Sequence, residues 1–195
     1  MKNALIESLT KFARSHLIIL LGFLALALAY MSPVLDGKVL SQHDMTQHEG
    51  MKQELTEYEA ETGESAQWTN SLFSGMPAFH VGPTGGKTTF FRELAKIVRL
   101  GARTINPIAI LFTYLLCFYI LLLSLRVSPW LSAIGAIAFA LSSYNLIILQ
   151  PGHISKAYAI AFMAPVVAGI LMTYRGKYLA GGLIFLLGLG IELYY

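Results

Sequence analysis

Long apolar runs alternate with one long polar segment along this chain. Five runs of about 18 to 21 residues are almost entirely apolar and lack the polar face of an amphipathic helix. A bilayer core about 30 Å thick is crossed by about 20 helical residues, because a helix satisfies its own backbone hydrogen bonds. The pattern therefore predicts an all-α integral membrane protein with about five transmembrane helices. The runs cover residues 17–35, 105–125, 130–149, 157–174 and 178–195.

A polar segment of about 70 residues, 36–104, follows the first run and holds nine of the eleven acidic residues. Residues 45–62 have helix-forming composition with sparse apolar positions, which predicts a surface helix. Residues 89–103 combine apolar and basic side chains at helical spacing, which predicts an amphipathic helix in the headgroup layer. Glycine, proline and aromatic residues at 63–87 predict an ordered loop. We therefore expect a large outer loop containing two juxtamembrane helices.

Composition agrees with a membrane protein and narrows its chemistry. Hydrophobic residues make up 55% of the chain and charged residues only 13%, against about a quarter in soluble domains. The net charge of +3 is small and dispersed, which argues against nucleic acid as a partner. The only cysteine, Cys117, lies inside the second run, so disulfides and CxxC sites are excluded. The lipid bilayer is the partner that composition itself implies.

Basic residues outside the polar segment predict the orientation of the chain. They precede the first run and follow the second and fourth runs, at three places that five spans bring to one side. The positive-inside rule makes that side cytoplasmic. Residues 1–16 are then cytoplasmic, whereas the segment 36–104 and the turn 150–156 share the outer face. The basic residues concerned are Lys2, Lys11, Arg14, Arg126, Arg175 and Lys177.

The two ends of the chain suggest how it is processed. Residues 27–29 look like a signal-peptidase site, but the apolar run continues past them to spanning length, which favours an uncleaved signal anchor. The chain stops at Tyr195, at the end of the fifth run and without a polar tail. We therefore expect residues 105–195 to be transmembrane helices 2–5 of a protein that normally continues further.

Asp44 is the first candidate functional residue, because it lies a few residues beyond the first run. A carboxylate at headgroup level can act as a general base or bind a divalent cation. Alternatively, Asp44 caps the following helix, with Gln47 completing a capping box. His43, His48 and Glu49 surround it and can form a transition-metal cluster with it, or be ordinary surface polar residues. Both pairs of alternatives stay open at this point.

The turn 150–156 interrupts apolar sequence near the expected level of Asp44. His153 and Lys156 in this turn can bind an anionic group such as a lipid phosphate. The alternative is a polar hairpin whose lysine extends to the membrane surface. Glu192 is an acid within the last apolar run, where it must face a cavity, pair with a cation such as Lys156, or lie at the interface. The glycine-rich segment 82–88 is not a phosphate-binding loop, since Val81 stands where that motif requires glycine.

Four stretches of the chain carry a resemblance to a known family. They are Ser-Pro-Val-Leu-Asp-Gly-Lys-Val-Leu-Ser-Gln-His-Asp at 32–44, Trp-Thr-Asn-Ser-Leu-Phe-Ser-Gly-Met-Pro at 68–77, Gln-Pro-Gly-His-Ile-Ser-Lys-Ala-Tyr-Ala-Ile-Ala at 150–161, and the closing Glu192-Leu-Tyr. Together they resemble the N-terminal part of bacterial YfhO-type membrane proteins. The resemblance covers essentially the whole chain, but only the first part of such proteins.

That family is similar to GT-C-type glycosyltransferases, which use polyprenyl-phosphate-linked sugars at the outer face of the bacterial cytoplasmic membrane. The resemblance implies that Asp44 is the catalytic base, with Mg or Mn as an optional metal at the same carboxylate. It also implies that His153 and Lys156 bind the donor phosphate and that an unidentified glycan or lipid is the acceptor. Ile154 departs from the family pattern, which usually has asparagine there. Supporting roles fall to Glu49, His43, His48 and Glu192.

Two other functions compete with a cell-envelope glycosyltransferase. In a transporter or flippase, Glu192, Lys156 and His153 would line a pathway across the membrane. Transporters usually show internal repeats and broken helices at mid-bilayer, whereas no repeat is evident here and the polar residues cluster at one face. In a non-catalytic scaffold, the polar segment would bind a partner. The sequence favours chemistry at the membrane surface over translocation, and leaves the scaffold open.

Overall fold

The computed structural model describes residues 2–81, 89–98, 100–101 and 106–192. It is mostly helical (74%), as the all-α prediction requires. The described residues form nine α-helices, one two-stranded β-hairpin and one 3₁₀ turn. The helices are α1 (Lys2–Tyr30), α2 (Ser32–Leu35), α3 (His43–Thr62), α4 (Thr89–Val98), α5 (Pro107–Ser124), α6 (Pro129–Ala140), α7 (Ser143–Ile147), α8 (Ile154–Tyr174) and α9 (Tyr178–Glu192).

Three of these helices are long and apolar enough to cross a bilayer. They are α5, α8 and the part of α1 from Ala13 to Tyr30, while α6 and α9 are apolar but shorter. The run predicted as one helix over 130–149 is divided, because α6 ends at Ala140 and α7 begins at Ser143. The buried side chain of Asn145 donates a hydrogen bond of 2.8 Å from Nδ2 to the carbonyl oxygen of Phe139. The same carbonyl also accepts a 3.1 Å hydrogen bond from the backbone N–H of Ser142, so the side chain of Asn145 adds a second donor at the end of α6.

Helix α5 lies at the centre of the bundle and packs against α1, α6 and α8. Its start can be recognised in the sequence, because Asn106 precedes Pro107 at the first helical position. The Asn106 side-chain oxygen accepts hydrogen bonds from the backbone N–H groups of Ile108 (3.0 Å) and Ala109 (3.4 Å). Leu111 and Tyr114, near the middle of the helix, are fully buried. An all-round apolar helix is therefore used here as the core of the bundle.

Helices α8 and α9 form a closely packed hairpin. A Cβ atom added to Gly169 would lie 2.6 Å from the backbone nitrogen of Phe185, so only glycine allows the two backbones to approach this closely. Small residues at helix crossings are the usual means of tight packing in membranes, where apolar burial gives no net driving force between helices. The Arg175 guanidinium, in the turn that follows α8, donates a hydrogen bond to the carbonyl oxygen of Ser124. This bond ties the α8–α9 turn to the end of α5.

Helix α3 agrees with the predicted surface helix, and none of its residues is buried. Glu54 joins α3 to residues 69–71. Its Oε2 accepts hydrogen bonds from the Thr69 hydroxyl (2.5 Å) and from the backbone N–H groups of Asn70 (2.9 Å) and Ser71 (3.0 Å). The predicted loop contains more structure than expected. Strand β1 (Trp68–Thr69) pairs antiparallel with β2 (Met76–Pro77), and the 3₁₀ turn Ala78–His80 follows.

Helix α4 corresponds to the first part of the amphipathic helix predicted at 89–103. Leu94 and Val98 pack against the core of the bundle, whereas Phe90 and Ile97 are exposed. The glycine-rich segment 82–88 lies outside the described residues, as does the side chain of Glu192. The expectations for those residues therefore stay predictions.

Candidate functional site

The chain segment between α2 and α3 docks on the turn between α7 and α8. The buried Gln42 side chain donates a 2.7 Å hydrogen bond from Nε2 to the carbonyl oxygen of Leu149. Two residues later, the backbone N–H of Asp44 donates a 3.0 Å hydrogen bond to the carbonyl oxygen of Pro151. These two bonds join parts of the chain that are more than 100 residues apart, and they bring Asp44 to the turn that carries His153.

Gly152 makes this docking possible. Its φ is +108°, a backbone conformation that residues with a Cβ atom rarely adopt. The residue is buried under the start of α3. A Cβ atom at this position would lie 2.8 Å from Cγ of Met45 and 3.3 Å from Cβ of Gln42. Glycine is therefore needed both for the backbone conformation of the turn and for the close contact with α3.

A cleft of about 1110 Å³ opens between these two segments. We call it the Asp44 cleft, and define it by the functional side chains that line it, namely Asp44, His48, Glu49, His153 and Lys156. The buried Tyr158 also contributes to its wall. The structure thus brings together five of the seven residues that the sequence singles out.

Asp44 and His153 face each other across the cleft. Oδ2 of Asp44 lies 3.6 Å from Nδ1 of His153, and each side chain is about half exposed, 44% for Asp44 and 48% for His153. The distance is too long for a direct hydrogen bond, and the exposure of both side chains means that solvent screens any charge interaction between them. Both groups also stay accessible from the cleft, which a reacting or binding group requires.

The predicted capping box at Asp44 is wrong. Gln42 occupies the N-cap position of α3, Asp44 is the second helical residue, and no side chain makes a cap hydrogen bond there. The physical reason is the docking itself, since the Asp44 N–H bonds to Pro151 and its carboxylate faces the cleft. A negative charge in the first helical turn still interacts favourably with the helix dipole. The structure therefore leaves the carboxylate available for chemistry.

His43 and His48 differ in position, although both neighbour Asp44 in sequence. His43 is exposed and outside the cleft, with its Nε2 2.8 Å from Nε2 of Gln47. His48 lines the cleft, and its pKa is lowered from 6.5, chiefly because partial burial disfavours the imidazolium and also because Lys52 is near. Glu49 opposes this shift. His48 is thus neutral at pH 7.

The Mg or Mn ion expected at the Asp44 carboxylate stays a prediction. Among the described residues, no three His, Cys, Asp or Glu side chains come close enough to share a metal ion. The Asp44 carboxylate itself lies 3.6 Å from an imidazole nitrogen of His153. The predicted histidine and acid cluster is therefore divided by the structure, with Asp44 turned towards His153 and His43 turned towards Gln47.

The opposite wall of the cleft is positively charged. The Lys156 Nζ lies 6.0 Å from the ring centroid of Tyr144, within range of a cation–π contact. Helices α3, α5 and α8 all begin at the cleft, since Asp44, Pro107 and Ile154 belong to their first turns and line it. A helix N-terminus carries about half a positive charge. The wall around Lys156 therefore favours an anionic group, opposite an acidic wall at Asp44 and Glu49.

Sequence reasoning missed two residues on which the site depends. Gly152 lies in a Pro-Gly pair, which is a turn signal, but nothing in the sequence indicates that Met45 packs on it. The burial of Gln42 has no sequence signal at all, because its partner is a backbone carbonyl 107 residues away. Positions like these become visible only when the tertiary contacts are known.

Comparison of the chain with known protein families, curated proteins and solved structures finds no match. The similarity to YfhO-type proteins therefore remains a prediction that depends on the four stretches of sequence. The structure itself gives the geometry of the site: Asp44 and Glu49 lie on one wall of a cleft at one end of the helical bundle, and His153 and Lys156 lie on the other.

Proposed function

We propose that this chain is the donor-binding part of a glycosyltransferase that takes a sugar from a polyprenyl-phosphate carrier at the outer face of the bacterial cytoplasmic membrane. One observation carries the proposal. The carboxylate of Asp44 lies 3.6 Å from His153 in a cleft of about 1110 Å³ that Lys156 also lines. A carboxylate opposite an imidazole and an ammonium is an arrangement that can deprotonate an acceptor while a phosphate leaves.

The positions of the charged turns support the proposed orientation. Helix α8 has 21 residues and is about 30 Å long, with Lys156 in its first turn and Arg175 just beyond its end. The Asp44 cleft and the Arg175 turn are therefore separated by about the thickness of a bilayer core. With Arg126, Arg175 and Lys177 on the cytoplasmic side, the cleft lies on the outer side, in a layout of five spans in which α6 and α7 together form the third.

In the proposed reaction, the sugar is transferred directly from the polyprenyl phosphate to an acceptor hydroxyl. The Asp44 carboxylate takes the proton of an acceptor hydroxyl, and the hydroxyl oxygen forms a bond to the anomeric carbon of the sugar. The bond between that carbon and the phosphate oxygen breaks, so its electron pair leaves with the polyprenyl phosphate. General-base assistance of this kind is worth about 10²- to 10⁴-fold in rate.

The positive wall has the complementary task. Negative charge grows on the phosphate as it leaves, and fixed positive groups aimed at that charge stabilise the transition state. The Lys156 ammonium supplies charge, the His153 imidazole supplies a hydrogen-bonding nitrogen, and the first turn of α8 adds its dipole.

The lining of the cleft also suits a lipid carrier. Val39 and Leu40 line it on the side of the α2–α3 connection, and both are exposed, Val39 by 90%. An isoprenoid chain can lie against such residues while its phosphate reaches Lys156. A soluble sugar phosphate would gain nothing from these apolar contacts, so they favour a lipid-linked donor.

The break between α6 and α7 does not favour the transporter alternative. In transporters, interrupted helices line the substrate site near the middle of the membrane. Here Asn145 is buried, bonds to the carbonyl of Phe139 and does not line the Asp44 cleft. The interruption is closed by its own side chain, and the functional side chains lie at the end of the bundle.

The decisive experiment is Asp44→Asn in the full-length protein, expressed in cells that lack the wild-type copy. The matched control is Glu61→Gln, an exposed acid on the same helix and about 25 Å further along it. We expect Asp44→Asn to abolish the envelope glycan, measured by mass spectrometry, while the protein level in the membrane fraction stays normal and the control retains the glycan.

Other outcomes identify the alternatives. A normal glycan with Asp44→Asn present at wild-type level contradicts the catalytic role and favours a scaffold. Loss of the glycan together with accumulation of the lipid-linked sugar on the cytoplasmic side favours a flippase, because the carrier is then made but not moved. Accumulation on the outer side is the result that a transferase predicts.

A further inference from the structure

A second cleft, of about 250 Å³, lies at the end of the bundle opposite Asp44. It is bounded by the end of α5, the end of α8 and the α8–α9 turn. We call it the Arg126 cleft. It is lined mainly by Ile120, Leu123, Arg126, Met172, Arg175 and Lys177. Among the described residues that line it, every charged side chain is a cation, and the neighbouring side chains are apolar.

Arg126 adopts a backbone conformation that is normally left to glycine. Its φ is +65°, in the left-handed region, at the position that follows the end of α5. The turn is closed by hydrogen bonds from the N–H of Arg126 to the carbonyl of Leu123 (2.9 Å) and from the N–H of Val127 to that of Leu122 (3.1 Å). A side chain at this position strains the backbone, because Cβ approaches the next carbonyl oxygen.

The turn after α8 has the same geometry with glycine in the strained position. Gly176 has a φ of +79° and bonds to the carbonyl of Thr173 (2.9 Å), and Lys177 bonds to that of Met172 (3.0 Å). The two turns therefore differ in the residue at one equivalent position. Glycine would serve the backbone at 126 as it does at 176, so the arginine there is explained by its side chain rather than by the turn.

The two arginines converge from different turns. The Arg175 guanidinium is anchored by its hydrogen bond to the carbonyl of Ser124, only two residues before Arg126. A guanidinium has five N–H donors in a planar fork, so one backbone contact leaves donors for an anion. Ile120, Leu123 and Met172 extend the cleft into the apolar part of the bundle.

We propose that the Arg126 cleft binds the phosphate of an anionic phospholipid, with the acyl chains lying along the apolar residues of α5 and α8. Clusters of arginine and lysine at the end of membrane helices attract anionic headgroups, and guanidinium groups bind phosphate in bidentate fashion. The volume of about 250 Å³ accommodates one phosphate headgroup. The proposal is independent of the transferase function, since it uses none of the residues of the Asp44 cleft.

The test uses the full chain in lipid nanodiscs of phosphatidylcholine, with or without phosphatidylglycerol. We expect phosphatidylglycerol to raise the thermal unfolding midpoint of the wild type and to be retained by it in native mass spectrometry. Arg126→Gly should bind phosphatidylglycerol about fivefold more weakly, while its midpoint in pure phosphatidylcholine is unchanged or higher because glycine relieves the strain. Lys177→Gln should weaken retention in the same direction. Lys52→Gln, at the other end of the molecule, is the charge-matched control.

Three results would overturn the proposal: no rise in the wild type, an equal rise in Arg126→Gly, or an equal loss in Lys52→Gln. Inorganic phosphate added to phosphatidylcholine nanodiscs distinguishes the source of the anion. A midpoint that rises with phosphate in the wild type, but not in Arg126→Gly, supports a phosphate site filled from solution. A rise with phosphatidylglycerol alone supports the lipid headgroup.

Discussion

The two ends of the helical bundle hold two clefts that differ in charge and size. At one end, the Asp44 cleft holds acidic and cationic side chains on facing walls in about 1110 Å³. At the other, the Arg126 cleft holds only cations among its described charged residues, in about 250 Å³. The first is held by hydrogen bonds between unlike segments more than 100 residues apart, whereas the second is made by two helix-ending turns of the same geometry, joined by a bond across 51 residues. Both clefts therefore depend on tertiary contacts, but only the first brings opposite charges onto facing walls.

The largest expected effect is on glycosyl transfer, and it distinguishes the Asp44 cleft from the Arg126 cleft. We expect Lys156→Gln to lower kcat/KM for glycosyl transfer about 10- to 100-fold, because hydrogen bonds to charged groups are worth about 1.5–3 kcal/mol. Lys177→Gln should leave transfer unchanged. Conversely, Lys156→Gln should leave phosphatidylglycerol retention unchanged. Transfer is measured with a radiolabelled polyprenyl-phosphate sugar in membrane vesicles, and equal effects of the two variants on transfer would show that the two clefts are not separate sites.

The next effect tests the docking of α3. Gly152→Ala should lower the free energy of unfolding by about 2–3 kcal/mol, since it adds backbone strain and a clash with Met45. Gly176→Ala is the matched control at the other end, with a positive φ of 79° but nothing within 4 Å of the added Cβ. It should lose only about 1–2 kcal/mol, from strain alone. Equal losses in chemical denaturation would refute a steric role for the contact with Met45.

A smaller effect tests the hydrogen bond beneath the site. Gln42→Ala leaves the buried carbonyl of Leu149 without its side-chain donor, so we expect a loss of about 1–2 kcal/mol and faster hydrogen exchange at the start of α3. Gln47→Ala removes an exposed contact with His43 and should change stability by less than about 0.5 kcal/mol. If the two substitutions behave alike, the Asp44 cleft is not held by this bond.

The smallest expected effect is a loss of stability of the β-hairpin at acid pH. The Thr69 hydroxyl holds the pKa of Glu54 below 4.5, and the backbone N–H groups of Asn70 and Ser71 act in the same direction. The unfolded state then binds more protons, so this contribution is fully present above pH 4.5 and is lost as the pH falls through the lower folded value. Trp68 fluorescence in a Trp130→Phe background should report loosening of the hairpin on acidification.

Glu54→Gln should flatten this pH response, because the amide does not titrate. His48 gives a response of the same sign, since its pKa is also lowered, but its contribution is lost below pH 6.5. His48→Gln therefore removes the part of the response that begins as the pH falls below 6.5, and leaves the part below pH 4.5. An unchanged response in Glu54→Gln would show that another acid controls the hairpin.

Local signals were sufficient for much of the fold. The start of α5 follows from Asn106 and Pro107, and the extent of α3 follows from its helix-forming composition up to Gly63, which ends the helix in the left-handed conformation. The capping role of Asp44 was wrongly predicted, because its N–H is engaged by the distant carbonyl of Pro151. The continuous helix at 130–149 was wrong as well, since apolar composition does not reveal a break that Asn145 stabilises.

The candidate site was only partly predictable for the same reason. Its polar residues can be recognised in the sequence, because Asp44, His153 and Lys156 lie near the ends of apolar runs. At such positions a polar side chain can reach water instead of being buried in the membrane. Their pairing was expected only from the predicted topology. That Asp44 faces His153 while His43 turns away was decided by the register in which α3 docks.

By itself, the sequence predicted a mostly helical chain with helices long and apolar enough to cross a membrane and with polar groups near their ends, because apolar length and charge position act locally. The tertiary structure alone decided that Gln42 and Gly152 join the start of α3 to the start of α8. It also decided that two turns far apart in the chain bring Arg126 and Arg175 to one cleft. The physical reason is that these contacts depend on backbone carbonyls and close approach, which no side-chain pattern encodes.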